Sequence, residues 1–182
     1  INGEERQYPQ GATYEDVAND YQQEYENLIA LAARDGKIRE LFKKLTRDCE
    51  VTFFTLKDDV GNKTYVRSAT MLFLKAVFDV YGREAARSCR VEFAIGNGSY
   101  ISPKGKINAT EENAAKIRNR MRELVEAKTP FLKRSYSLDN AMELFRKEGM
   151  KDKEKLFRYR RGSFVNIYEM DGYYDYYYGY ML

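Results

Sequence analysis

The chain has 182 residues, a formal net charge of +3, 43% hydrophobic and 32% charged residues, enough apolar content for a buried core and too mild a basic excess to announce nucleic-acid binding by charge alone. It contains no histidine, which removes Ser-His-Asp, Cys-His and histidine-zinc chemistry from these residues. There is no apolar run near the roughly 20 residues of a membrane helix, no signal-peptide order at the start and no G-x-x-x-x-G-K-[ST] phosphate loop, so a cytoplasmic protein with no membrane partner is expected.

In chain order, Ile1 to Tyr8 reads as an extended piece. In "YPQGATYEDVANDY", Thr13 and Asp16 have the spacing of a capping box, which predicts a helix turning Val17 and Tyr21 inward. "LIALAARDGKI" reads as a hairpin about Asp35-Gly36, "IRELFKKL" as a connection anchored by Leu41 and Leu45, and "CEVTFFTL" as a strand. Cys49 and Cys89 form no C-x-x-C pair and are expected to be buried thiols. After a loop, "DDVGNK", "TYVRSATMLFLKAVFDVYG" is strongly helical with Gly82 as its stop. "RVEFAIGNGSYIS" reads as two strands about a glycine turn, which explains Gly96 and Gly98 better than a dinucleotide site does.

"ATEENAAKIRNRMRELVEAKTP" predicts a helix capped at Thr110, with Ile117, Met121, Leu124 and Val125 as its apolar stripe and Pro130 beyond its end. "SLDNAMELFRKEG" is another capped helix, ending at Gly149. "KEGMKDKEK" reads as a solvated loop of mixed charge, and "SFVNIYEMDGYYDYYYGY" as a hairpin turning at Asp171-Gly172. Asp58-Asp59 and Glu111-Glu112 read as a turn and a helix start, where negative charge suits the dipole, rather than as acid-base pairs. The second half is thus expected to be one sheet covered by helices on one side, and the fold class is α+β.

This order of motifs resembles a known family. "YPQGATYEDVA" and "DGKIREL" resemble a TGS domain, the ubiquitin-like β-grasp unit at the start of threonyl-tRNA synthetase. "VRSATMLFLKAV", "FAIGNGSYIS", "RMRELVEAKTPFLKRSYSLDNAMELF" and "YYDYYYGYM" resemble the second additional domain, the editing domain of threonyl- and alanyl-tRNA synthetases. The resemblance implies a TGS-like β-grasp domain over residues 1–57, a linker over 58–63 and a threonyl-tRNA synthetase editing-domain-like α+β sandwich over 64–182. The editing family carries H-x-x-x-H on a helix and C-x-x-x-H near the last strand. Those positions fall here on Arg67, Met71, Tyr177 and Met181, none of which supplies a general base or a good zinc ligand. The resemblance therefore implies a degenerate pocket with no catalytic residue and no metal. The tyrosine run either packs there as core and rim or lines an aromatic recess facing Arg67.

The ending "DYYYGYML" is also similar to the D-Y-x-Y-G of bacterial uridine kinase-like proteins of the phosphoribulokinase/uridine kinase family, in which a P-loop kinase domain follows. That resemblance implies an N-terminal fragment without a cofactor of its own, covalently linked to an ATP- and Mg-dependent nucleoside kinase domain beyond Leu182. Its expected role is regulatory, or the binding of a nucleoside, nucleotide or tRNA-like ligand. The alternatives are a stand-alone tRNA- or RNA-binding module from a synthetase editing domain, or a mischarged-tRNA deacylase. For RNA, Arg158, Arg160 and Arg161 in "KLFRYRRGSF" could meet phosphates while Tyr159 or Phe157 stacks on a base, the ordinary alternative being a charged strand edge or loop.

Overall fold

The computed structural model describes every residue except Asn2 and Asn97. The chain divides into two compact units, residues 1–69 with 178–182, and residues 70–177.

In the first unit, helix α1 (Tyr14–Tyr21) begins at the expected capping box. The Asp16 amide donates to Thr13 Oγ1 at 3.2 Å and the Thr13 amide to Asp16 Oδ2 at 2.7 Å, which satisfies two of the helix's unpaired donors. Strands β1 (Ile29–Arg34) and β2 (Lys37–Glu40) form the hairpin, and β3 (Val51–Thr55) pairs antiparallel with the other side of β1. The order β2-β1-β3 makes β1 central, which is why "IALAA" is buried without alternation. Asp35 and Gly36 both have positive φ, 50° and 74°, as a two-residue hairpin turn requires. Tyr14, Val17 and Tyr21 of α1 pack on Ile29, Ala32, Val51 and Phe53, with Leu41 and Leu45 at the margin. Among the described residues of the segment 1–8 there is no strand. The Glu4 amide turns back to the Ile1 carbonyl instead, so the sheet has three strands.

Helix α2 (Asp59–Tyr81) starts inside the stretch expected to be a loop. The Asp58 carboxylate accepts from the Thr55 amide at 2.6 Å, and the Asn62 amide donates to the Asp58 carbonyl at 2.8 Å, so Asp58 ends the strand and opens the helix together. Gly61, within that stretch, acts here through its missing side chain. A Cβ at this position would lie 2.0 Å from the Thr55 carbonyl oxygen.

In the second unit α2 continues from Thr70 and stops at Gly82, whose φ is 83°. A short α3 (Arg83–Ser88) follows, then the hairpin β4 (Arg90–Ile95) and β5 (Gly98–Ser102); Asn97, in the stretch expected to be a glycine turn, lies outside the described residues. Helix α4 (Glu111–Glu126) is capped by Thr110 and α5 (Leu138–Lys147) by Ser137. On α4, Ile117 and Leu124 are buried while Val125, at the edge of the stripe, is exposed. Strand β6 (Leu132–Ser137) pairs with β7 (Phe164–Met170), and β7 with β8 (Tyr173–Asp175) about the Asp171-Gly172 turn.

Two expectations are corrected in this unit. Its strands form two separate sheets, β4-β5 and β6-β7-β8, and β4 is exposed along its whole length. The stretch expected to be a charged loop is helix α6 (Lys151–Arg158). Its apolar contacts are widely spaced, with Met150 before it and Phe157 near its end both buried. Phe157 packs edge-on to Tyr176 at 5.0 Å and against Phe145 at 5.4 Å. Arg146 and Arg158 both donate to Glu154 on α6 and hold its carboxyl below the usual range.

Replacing Gly61 by Ala forces the start of α2 away from β3. It should cost about 3 kcal/mol, as overpacking against immobile backbone does, and appear as a lowered urea midpoint.

Candidate functional site

The second unit holds a cavity of about 750 Å³ whose walls come from α2, the end of α3, the start of β4, the α5-α6 corner and the segment around β8. Sequence reasoning singled out one of its functional side chains, Tyr177. The others are separated by long stretches of chain and meet only through the fold.

The α5-α6 corner depends on Gly149. Its φ is 69°, and a Cβ would sit 2.6 Å from Arg87 Nη1. That close approach lets Arg87 donate to the Glu148 carboxylate at 3.1 Å, with Arg83 on the other oxygen at 3.3 Å. Glu148 is therefore buried as a paired anion. α6 then brings Lys153 to Asp175.

Asp175 is 5% exposed. Its Oδ1 accepts from Lys153 Nζ at 3.1 Å and from the Tyr176 amide at 2.7 Å. Burial raises its carboxyl above the usual range, against the pull of Lys153 and the amide bond. Tyr173 packs edge-on to Phe78 at 5.7 Å. The Tyr177 hydroxyl is buried and has no hydrogen-bond partner among the described residues. Burial holds both phenols well above their ordinary range, with Asp175 adding to the effect. Cys89 also lines the cavity, and burial pushes its thiol up, so it is a poor nucleophile at neutral pH.

The four positions that correspond to the editing motifs are distributed between the two units. Tyr177 lines the cavity, whereas Met71, in the same unit, is wholly buried and does not. In the first unit, Arg67 donates through Nη1 to the Tyr180 carbonyl, and its guanidinium lies so close to Gly179 that a Cβ there would be 2.7 Å away. Met181 is buried, its amide donating to Glu40 Oε1 at 3.3 Å, and the Leu182 amide donates to Ser68 Oγ at 2.9 Å. Arg67 thus anchors residues 178–182. Tyr178 is 86% exposed. The donor set does not fit zinc: the four residues include no thiolate, imidazole or carboxylate. Among the described residues no group of three or more Cys, Asp or Glu could hold a metal ion.

Of the residues expected to contact RNA, Arg158 bonds Glu154, and Arg160 lies over the Tyr176 ring and bonds its hydroxyl. Tyr159 is 86% exposed and Arg161 is exposed. Phe157 is buried and cannot stack on a base.

With this geometry described, the chain can be set beside known proteins. No family model matches it. The threonine–tRNA ligase of Thermotoga maritima is 27% identical over 180 residues, which is 91% of this chain and 27% of that protein. The chain is similar to threonine–tRNA ligases. That of Rhizobium etli is 26% identical over 96% of the chain, and that of Syntrophotalea carbinolica 31% identical over 76% of it. The chain spans about a quarter of the length of these relatives. They support the synthetase part of the resemblance and lend nothing to a kinase parent. No helix among the described residues is long and apolar enough to cross a membrane.

Lys153→Met should leave a buried carboxylate without its cation and cost about 2 kcal/mol at neutral pH, discounted from a fully buried pair because Lys153 is partly exposed. The Asp175 pKa would then lie further above its unfolded value of about 3.9, so the folded state holds the proton more tightly. Stability should be greatest below that value and be lost as pH rises through the folded pKa. Urea midpoints of wild type and variant at acid and neutral pH check this, with Lys153→Met/Asp175→Asn recovering most of the neutral-pH loss.

Proposed function

We propose that this chain is a synthetase-derived module that binds a tRNA-like ligand without hydrolysing it. The observation that carries the reading is the likeness to threonine–tRNA ligases over about nine-tenths of the chain. The cavity supports it. Its volume is in the range of sites for nucleotide-sized ligands, and Arg90 and Lys151 in its lining are suited to phosphate. Asp175 and the unpartnered Tyr177 hydroxyl are suited to sugar hydroxyls. Hydrolysis would need a base that titrates near neutral pH or a metal-bound water. The cavity lining has no imidazole; its carboxylates are Asp175, tied to Lys153, Glu92, paired with Lys104, and Asp152, beside raised phenols and a raised thiol. On this reading residues 1–57 are a TGS-like β-grasp domain, 58–63 a linker and 64–182 a degenerate editing-like domain.

The ending "DYYYGYML" favours a second reading, in which the same module serves a uridine kinase-like protein whose ATP- and Mg-dependent domain lies beyond these residues. Translating the gene past Leu182 tests it, and a P-loop motif is the expected result.

Binding of deacylated tRNA, followed by fluorescence anisotropy, should be measurable at low salt and weaken by about 10-fold or more between about 50 and 200 mM salt. Mischarged tRNA should stay charged at the rate seen without protein. No binding at low salt would overturn the proposal, as would deacylation above the control that Asp175→Asn abolishes.

A further inference from the structure

Among the described residues the β4-β5 hairpin pairs with no other strand, and all six residues of β4 are exposed. Phe93 is 57% and Tyr100 48% exposed, and Val91 and Ile95 are exposed beside them. Phe93 and Tyr100 are register partners, with ring centroids 5.3 Å apart and planes 27° from parallel. A two-stranded ribbon with an uncovered apolar face is marginal in water, and a contiguous exposed apolar face marks an interaction site.

The charge around this face selects the partner. Between residues 87 and 106 the chain carries Arg87, Arg90, Lys104 and Lys106 against one acid, Glu92. Lys104 pairs with Glu92 and Lys106 with Glu84, and both lysines are exposed enough for a phosphate to compete. Arg90 has no ion pair among the described residues. A second copy docked here would set like charges against one another, whereas a polyanion with flat bases matches both the charge and the rings. The foot of the hairpin, Arg90 to Glu92, also forms part of the cavity wall, so a strand lying on the hairpin would lead into the cavity.

We propose that the Phe93–Tyr100 pair is a base-stacking platform for single-stranded RNA, with Arg90, Lys104 and Lys106 tracking the phosphates. The identification of the physiological strand as part of a tRNA-like ligand rests on the reading above, but the platform can be tested without it. The chain has no tryptophan, so 2-aminopurine fluorescence is unobstructed. The probe is a single-stranded oligoribonucleotide of about eight nucleotides, carrying 2-aminopurine and a 3′-phosphate so that the 3′-hydroxyl plays no part. Phe93→Leu and Tyr100→Leu keep apolar bulk and remove the π face.

Each substitution should weaken binding about 10-fold or more, abolish the quenching of 2-aminopurine and leave thermal unfolding unchanged. Absence of binding by wild type, or equal binding by the leucine variants, would overturn the platform. So would a concentration-dependent dimer in sedimentation that Phe93→Ser dissociates, which would identify a second copy as the occupant. Oligonucleotide binding that needs the rings, with no tRNA binding, would uphold the platform and remove the tRNA reading. Binding of tRNA that is indifferent to both rings would do the reverse.

Discussion

The second unit is organised around a carboxylate that has been taken out of water. Asp175 is tolerable in its buried place because Lys153 and the Tyr176 amide share one of its oxygens. To deliver Lys153, the chain must turn sharply from α5 into α6. That turn exists because Gly149 has no side chain where Arg87 comes through to reach Glu148. Two separate ion pairs thus set the corner and β8 as walls of one cavity, and the aromatic contacts of Phe157 and Tyr176 close around them.

On the proposed reading, the same arrangement lets the tyrosine run serve binding rather than hydrolysis. In the second unit the run does two jobs: Tyr173 and Tyr176 pack, while Tyr177 turns its hydroxyl into buried space without a partner. The phenols keep their protons, and the most deeply buried carboxylate of the cavity lining, Asp175, is committed to a lysine. On that reading such a site holds its ligand by donating and accepting hydrogen bonds. In the first unit, the end of the run is fastened by backbone contacts through Arg67, Ser68 and Glu40, so Arg67 serves there as an anchor for chain.

What the sequence made legible was local. Thr13, Thr110 and Ser137 cap their helices because a hydroxyl three residues before an orphan amide has the same geometry everywhere. Asp35-Gly36 and Asp171-Gly172 turn their hairpins because both residues accept positive φ. Local patterns failed where long-range contacts decide. α6 reads as a charged loop because its buried apolar anchors are one phenylalanine and a methionine before it, while its ion pairs to Arg146 and Asp175 lie outside the local pattern. "DDVGNK" reads as a loop because the role of its Gly61, proximity to Thr55, depends on a strand outside the local pattern. The editing-motif spacing led to Tyr177 but not to Asp175 or Lys153, whose chemistry depends on burial. The only signal available for them was an aspartate inside an otherwise aromatic strand.

The most direct measurement is hydrogen exchange of the whole chain with and without deacylated tRNA. The account predicts slowed exchange in the α5-α6 corner over 149–153, in residues 173–177 and along the β4-β5 hairpin, with little change in α1. Unchanged exchange in the cavity walls and hairpin under conditions where tRNA is bound would contradict it.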